Sequence, residues 1–120
     1  MNVTTINGVR VLEVPVEGPP LGSERDATDL IGESYGDEVD VIALPVGRLH
    51  PDFLKLRTGM AGAFLQKMQN YGYRCAIVGD ISEVVATSDA LRDFVYESNN
   101  VGQVLFVSGP DELRSRLGSA

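Results

Sequence analysis

Six consecutive residues in the middle of the chain could form a helix start that binds an anion. They read RTGMAG and occupy positions 57–62, where they open a segment with the apolar spacing of a helix. The first N–H groups of a helix have no partner within the helix and carry partial positive charge, so they suit a phosphate or a carboxylate. The guanidinium of Arg57 and the hydroxyl of Thr58 would add hydrogen-bonding groups to such a site, with Arg48 expected nearby.

The two glycines of this segment, Gly59 and Gly62, need an explanation because glycine is unfavourable within helices. If Thr58 is the N-cap, its hydroxyl accepts a hydrogen bond from an N–H one turn in, and Gly59 takes the first helical position, where glycine costs least. Gly62 would then lie inside the helix, where glycine is about 1 kcal/mol less favourable than alanine. We therefore expect either a backbone packed unusually close to Gly62 or the atoms of a ligand or partner there.

Asp80 is the second candidate for a site. It directly follows the apolar stretch CAIVG, and ligands of α/β sheets bind beyond the carboxyl ends of the strands. Two interpretations are open for its carboxylate: an Asx-turn or helix cap, and a polar or acid-base group that acts together with residues 57–59. Residues 45–47 and 108–109 are expected at the same edge.

Familiar catalytic and metal-binding patterns are missing from the sequence. Neither a GxxxxGK[ST] phosphate loop nor a GxGxxG dinucleotide turn occurs, and one histidine with one cysteine cannot supply a zinc cluster. We expect His50 to be structural or exposed, and Cys75 to behave as a small buried apolar residue. We therefore assign no catalytic residue, metal or cofactor, and the sequence favours a non-enzymatic role.

The composition narrows the classes of function. A chain of 120 residues with 43% apolar and 22% charged residues is typical of one soluble globular domain. Its net charge of −7 argues against nucleic acid as a partner, and no apolar run approaches the ~18 residues of a membrane span. A single cysteine, and an N-terminus without the pattern of a secretion signal, favour a cytoplasmic location. The middle of the chain is locally basic, which indicates a solvated helix face or an anion-binding patch.

The elements that must position these residues begin with a hairpin. Asn7 and Gly8 separate two stretches rich in β-branched residues. Because an Asn-Gly pair readily adopts the two positive φ angles of a type I′ turn, we expect antiparallel strands over 3–6 and 9–14.

Helices and short apolar strands alternate after the hairpin. Serines before apolar periodic segments predict N-caps, glycine predicts a helix end, and Pro110 suits the first turn of a last helix. After the hairpin, the sequence predicts a helix from Ser23 to near Gly36 and a strand over 39–45. The helix of the candidate site follows; it ends at Gly72, and its apolar stripe comprises Met60, Phe64, Leu65, Met68 and Tyr71. A strand over 74–80 comes next. The sequence then predicts a loop over 81–88 and a helix capped by Ser88. This helix has Leu91, Phe94, Val95 and Ser98 on its inner face and stops at Asn99-Asn100. A strand over 104–107 and a helix within 108–117 complete the order. This order predicts a single α/β domain with an N-terminal β-hairpin and a mixed, mostly parallel sheet.

A set of short motifs occurs along the chain in a definite order. The motifs are Thr58-Gly59, Ala61-Gly62, Gln66-Lys67, Asn70-Tyr71, Gly79-Asp80, Leu91-Arg92-Asp93-Phe94 and Glu97-Ser98-Asn99. Together they resemble an uncharacterised bacterial family known as domain of unknown function 4180. The resemblance spans nearly the whole chain, and it implies no established activity.

The segment RTGMAG is also similar to a turn of STAS domains, found in bacterial anti-sigma factor antagonists. In those domains an aspartate-serine-serine-glycine turn follows a strand and opens a helix, and the serine before the glycine is phosphorylated by a partner kinase. Here Arg57 replaces the acidic residue, Thr58 replaces the serine, and the insert GRLHPDFLKL separates the turn from the preceding strand. The resemblance therefore implies a STAS-like fold more strongly than it implies phosphorylation.

Two hypotheses about function follow. The leading one is a non-enzymatic, STAS-like regulatory module that binds a protein partner of unknown identity around Thr58, with phosphorylation or anion binding there as a switch. The alternative is a domain that binds or converts a nucleotide or phosphorylated metabolite through Arg57, Thr58, Gly59, Gly62 and Asp80. A self-associating structural unit is a third interpretation, so the oligomeric state stays open.

Overall fold

A five-stranded sheet forms the centre of the computed structural model, which describes residues 2–118. The strands are β1 (Asn2–Ile6), β2 (Val9–Glu13), β3 (Val41–Pro45), β4 (Arg74–Val78) and β5 (Val104–Val107). The helices are α1 (Glu24–Ser34), α2 (Met60–Asn70), α3 (Ser82–Ala86), α4 (Asp89–Val101) and α5 (Pro110–Gly118). Two 3₁₀ turns, Val46–Arg48 and Leu56–Thr58, lie between β3 and α2.

The strands follow one another across the sheet in chain order. β1 pairs antiparallel with β2, and β2 to β5 are parallel to their neighbours. Because right-handed crossovers that all step in one direction place their helices on one face, α1, α2 and α4 share a face of the sheet. The predicted α/β fold, with its N-terminal hairpin and mostly parallel sheet, is confirmed.

The N-terminal hairpin has the predicted turn between β1 and β2. Asn7 and Gly8 have φ angles of 51° and 84°, as a type I′ turn requires, and Ile6 pairs with Val9 directly across it.

The first helix is held by a reciprocal cap. The Ser23 hydroxyl accepts from the Asp26 N–H at 3.0 Å, while the Asp26 carboxylate accepts from the N–H groups of Gly22 and Ser23 at 2.9 and 3.1 Å. Burial opposes ionisation of Asp26, but these hydrogen bonds and the charge of Arg48 outweigh it, so the pKa lies below its usual 3.8.

Apolar layers lie on both faces of the sheet. On the face that carries α1, α2 and α4, the rings of Phe53 and Phe64 meet edge to face with centroids 5.4 Å apart. On the other face, Leu113 and Leu117 of α5 pack in one cluster with Val11. Within residues 2–118, none of the helices has the length and apolar character needed to span a bilayer.

Three local predictions are wrong. The segment after β4 was expected to be a loop but forms the short helix α3. Helix α4 runs through Asn99-Asn100 and ends instead at Gly102, whose φ of 85° is the left-handed conformation that glycine adopts at no steric cost. Tyr71, expected in the apolar stripe, lies beyond the end of α2 and is 60% exposed.

Candidate functional site

The start of α2 differs from the prediction. Gly59, not Thr58, is the N-cap, with φ of 75°. Its N–H closes the preceding 3₁₀ turn on the Leu56 carbonyl, while its own carbonyl accepts from the Ala63 N–H of α2. The chain must turn sharply between these two helices, and the left-handed conformation at Gly59 makes that turn, so Thr58 belongs to the 3₁₀ turn.

Thr58 nevertheless contributes to the cap. Its exposed hydroxyl lies 2.8 Å from the Lys55 carbonyl and 3.1 Å from the Asp52 carbonyl, and it accepts from the Met60 N–H at 3.2 Å. The hydroxyl therefore joins the end of the 52–58 connection to the first N–H of α2. A modification here would alter bonds at a helix start that is open to solvent.

Gly62 is not packed against another part of the chain. It is exposed, and a Cβ built on it would meet no atom within 4 Å. The prediction of an unusually close backbone is therefore wrong. The other explanation, atoms of a ligand or partner beside Gly62, stays a prediction.

Helix periodicity shows which way Gly62 faces. Gln69, seven residues later and hence on the same flank of α2, lines a hollow together with residues of α4. Met60 lies on the opposite flank, where a Cβ at Gly22 beside α1 would collide with its sulfur. Gly62 therefore lies on the α4 side of α2.

Arg57 lines one of the hollows on the surface of the domain. The hollow has a volume of about 430 Å³ and lies between the connection before α2 and the start of α4. Its lining residues are Leu54, Lys55, Leu56, Arg57, Val84, Thr87, Ser88 and Ala90. An adjoining hollow of about 240 Å³ shares Leu54, Lys55 and Val84 with it, so the two form one surface, which we call the Arg57 hollow.

Charge is distributed unevenly in the Arg57 hollow. Lys55 forms an exposed ion pair with Asp52 at 3.3 Å. Arg57 is exposed, and among residues 2–118 it has no carboxylate within ion-pair distance. The hollow therefore presents one unneutralised cation beside the apolar side chains of Leu54 and Val84.

Arg48 is not part of this site, although the sequence placed it nearby. Its guanidinium is buried and donates to the carbonyls of Pro15, Glu17 and Pro19 at 2.7 to 2.9 Å. It holds the connection between β2 and α1 in place. The signal was available in that connection, PVEGPPLGS, because prolines lack an N–H and leave carbonyls that need a donor from elsewhere.

Asp80 forms an Asx-turn, which is one of the two interpretations of its carboxylate. Its carboxylate accepts from the Ser82 N–H at 2.9 Å, and hydrogen bonds from the side chain and backbone of Ser82 lower its pKa. It lines a separate hollow of about 170 Å³ with Ser108, and this hollow shares no lining residue with the Arg57 hollow. The structure therefore brings Arg57, Thr58 and Gly59 together but does not join Asp80 to them.

Comparison with known proteins agrees with the motifs along the chain. A family model described as Domain of unknown function (DUF4180) matches residues 6–117. The chain belongs to the DUF4180 family. No curated protein and no solved structure gives a significant match to it.

The single histidine and the single cysteine of this DUF4180 domain, His50 and Cys75, are respectively hydrogen-bonded and buried. His50 Nδ1 accepts from the Asp52 N–H at 3.0 Å. Cys75 is 1% exposed, and burial raises the pKa of its thiol to about 12, so the reactive thiolate is disfavoured. Within residues 2–118, no three histidine, cysteine, aspartate or glutamate side chains are grouped in a way that could hold a metal ion.

Proposed function

We propose that this DUF4180 domain is a non-enzymatic regulatory module of STAS-like type that binds an acidic segment of a protein partner at the Arg57 hollow. The observation that carries the proposal is the unneutralised guanidinium of Arg57 beside exposed apolar surface, including Val84, which is 40% exposed. Interfaces favour arginine because its planar fork binds carboxylates and stacks on flat groups.

The net charge of the whole chain restricts where an acidic segment could bind. A net charge of −7 repels acidic molecules in general, so an acidic partner has to meet a cationic surface within that negative field. Arg57, which has no carboxylate within ion-pair distance among residues 2–118, supplies such a surface. The same net charge argues against nucleic acid as the partner, and a reduced Cys75 fits a cytoplasmic location.

Thr58 would act as a switch on this surface. A phosphate there adds a charge of about −1.5 to −2 at pH 7, next to Arg57 and at the positive end of α2. It would compete with an acidic partner for the Arg57 guanidinium and remove the hydroxyl proton donated to the 52–58 connection. Phosphorylation is therefore expected to weaken binding of an acidic segment.

Quantitative affinity purification from lysate of the native organism tests this function. Four baits are compared: the unmodified chain, Arg57→Glu, Thr58→Glu, and Arg25→Glu, which reverses an exposed arginine on α1. We expect a protein retained by the unmodified chain and Arg25→Glu baits and lost with Arg57→Glu and Thr58→Glu. Equal retention by all four baits would contradict the proposal.

Binding of a small anion is the second candidate function. The volume of the Arg57 hollow falls within the roughly 300–1,000 Å³ typical of ligand pockets. A nucleotide or phosphorylated metabolite at a hundred times its Kd would stabilise the fold by about 2.7 kcal/mol. A thermal-shift screen of such compounds, repeated on Arg57→Ala, separates this candidate from a protein module, which predicts no shift.

A further inference from the structure

The two edges of the sheet differ in what covers them. At the β5 edge, the side chain of Asn99 hydrogen-bonds both backbone polar groups of Phe106. At the other edge, no strand of residues 2–118 lies outside β1, whose sequence is NVTTI. Edge strands commonly carry a charged residue, a proline or a bulge that prevents further pairing. β1 has none of these three and pairs with β2 residue for residue, so its outer edge is open to another strand.

The hydrogen bonds of β2 show which groups of β1 face outward. Arg10 uses both of its backbone groups on the β3 side: its N–H donates to the Asp40 carboxylate at 3.1 Å, and its carbonyl accepts from the Asp40 N–H at 2.8 Å. Thr5 lies opposite Arg10, so these two residues form a non-hydrogen-bonded pair of the antiparallel ladder. The N–H and C=O groups of Thr5, and those of Val3 two residues earlier, therefore point away from β2.

The outward-facing residues, Val3 and Thr5, lie symmetrically about Thr4, and this symmetry favours a second copy of the same chain. A two-fold axis beside Thr4, perpendicular to the sheet, places Val3 opposite Thr5 of the second copy and Thr5 opposite its Val3. Each pair exchanges two N–H···O=C hydrogen bonds, which uses every outward backbone group of both copies of β1. A longer strand from a different protein would gain no further bond within β1.

We propose that this chain forms a two-fold symmetric dimer in which the β1 strands of two copies pair antiparallel, centred on Thr4. The pairing joins two five-stranded sheets into one continuous sheet. The proposal goes beyond the function proposed above, because the Arg57 hollow contains no residue of β1 or β2. The dimer therefore presents the Arg57 hollow twice, and two binding surfaces on one particle raise the avidity for a partner that can reach both.

The side chains of β1 suit this contact. Val3 and Ile6 are half-buried, and they pack against the apolar layers on opposite faces of the sheet. A neighbouring strand would cover part of their remaining exposed surface. Thr4 would lie directly opposite Thr4 of the second copy, and threonine pairs are favourable at such cross-strand positions.

The charge of the chain sets the salt dependence of the dimer. Each copy has a net charge of −7, so two copies repel each other, whereas β1 itself is uncharged. Salt screens this repulsion, because the Debye length falls from about 30 Å at 0.01 M to about 3 Å at 1 M. The dimer should therefore tighten as salt is added, whereas a contact held by ion pairs would weaken.

Sedimentation velocity over a range of protein and salt concentrations tests the dimer. We expect reversible dimerisation of the unmodified chain that strengthens with salt. Thr5→Pro removes an outward N–H but no bond to β2, so it should weaken the dimer at least about tenfold. Arg57→Glu should dimerise as the unmodified chain does, which separates failure of the dimer from failure of the proposed function.

A charge swap at Thr4 tests the register and does not depend on whether Thr5→Pro folds. Thr4→Lys and Thr4→Glu each place like charges directly opposite one another, so each variant alone should dimerise about fivefold more weakly. An equimolar mixture should recover the dimer, because lysine then lies opposite glutamate. Thr28→Lys and Thr28→Glu, at an exposed threonine of α1, are the controls and should show no such loss and recovery.

Three results would overturn the proposal. The first is a monomer at every salt concentration, even with protein at about 1 mM. The second is a dimer that the Thr4 variants do not weaken or that their mixture does not restore. The third is a dimer that is lost in Arg57→Glu, because the contact would then lie at the Arg57 hollow.

Discussion

The side-chain amide of Asn99 on α4 hydrogen-bonds both backbone polar groups of Phe106 on β5. Its oxygen accepts from the Phe106 N–H at 2.7 Å, and its nitrogen donates to the Phe106 carbonyl at 3.2 Å. β5 is an edge strand, and exposed edges invite pairing with another chain. Asn99 therefore takes the place of a neighbouring strand at this residue.

Asn99→Ala should destabilise the fold by about 1–3 kcal/mol, because it leaves a backbone donor and acceptor without their partner. Urea denaturation measures the change. Asn100→Ala, at an exposed position one residue later, is the control and should stay within about 0.5 kcal/mol. Equal effects of the two substitutions would show that the Asn99 hydrogen bonds contribute little.

Substitution by alanine should have very different effects on stability at Arg48 and at Arg57. Arg48→Ala leaves three carbonyls without the charged donor that now binds them, so we expect a loss of about 3 kcal/mol or more. Arg57→Ala removes an exposed side chain and should change the free energy of unfolding by less than about 0.5 kcal/mol. Thermal unfolding of both variants gives the comparison, and a large loss with Arg57→Ala would assign that residue a structural role.

Gly62→Ala should stabilise the fold by about 0.5–1 kcal/mol. Alanine is the better helix former, and its Cβ meets no atom within 4 Å. Gly32→Ala on α1 has the same free space and should give a similar gain in denaturant titration. Destabilisation by Gly62→Ala alone would mean that something approaches this position closely.

Gly59→Ala should act in the opposite direction. A side chain at a φ of 75° costs about 1–2 kcal/mol, and this conformation joins the 3₁₀ turn to α2. Gly59→Asn, which tolerates the left-handed conformation better, should recover part of the loss. Urea midpoints of the two variants measure their losses of stability. Equal losses would show that steric strain at the φ angle of residue 59 is not the cause.

Lowering the pH should weaken the N-terminal cap of α1, because this cap uses the carboxylate of Asp26. The pKa of Asp26 is lowered in the fold, so its contribution is complete above the unfolded value of 3.8 and is lost as pH falls through the lower, folded value. Asp26→Asn should therefore be less stable than the unmodified chain near neutral pH, and the difference should shrink between about pH 5 and pH 2. Asp29→Asn, an exposed position on the same helix, is the control; a difference for Asp26→Asn that is independent of pH would refute the electrostatic explanation.

Much of the fold was predictable because its signals act over a few residues. The Asn7-Gly8 turn, the Ser23 and Asp26 cap and the helix end at Gly72 each follow from backbone preferences within one turn of chain. The alternation of helix with apolar strand then restricts the sheet to a few topologies. The Asx-turn of Asp80 is equally local, and it was one of the two interpretations that the sequence left open.

The candidate site was predicted only in part. Thr58 and Gly59 do meet at the start of a helix, but which of them caps it depends on the 3₁₀ turn that enters from the 52–58 connection. Asp80 was grouped with them because both follow strands at one edge of the sheet. Their separation into different hollows depends on where α3 and the start of α4 lie, and the sequence predicted a loop in place of α3.

The sequence by itself determined most of the order of elements, the Asn7-Gly8 turn, the cap of α1 and the acidic charge of the chain. Only the tertiary structure decided that Arg48 is buried while Arg57 is exposed, and that no other part of the chain packs against Gly62. The physical reason is distance along the chain: a cap or turn is settled by residues within about four positions. The burial or exposure of a side chain depends on segments that meet only when the sheet has formed.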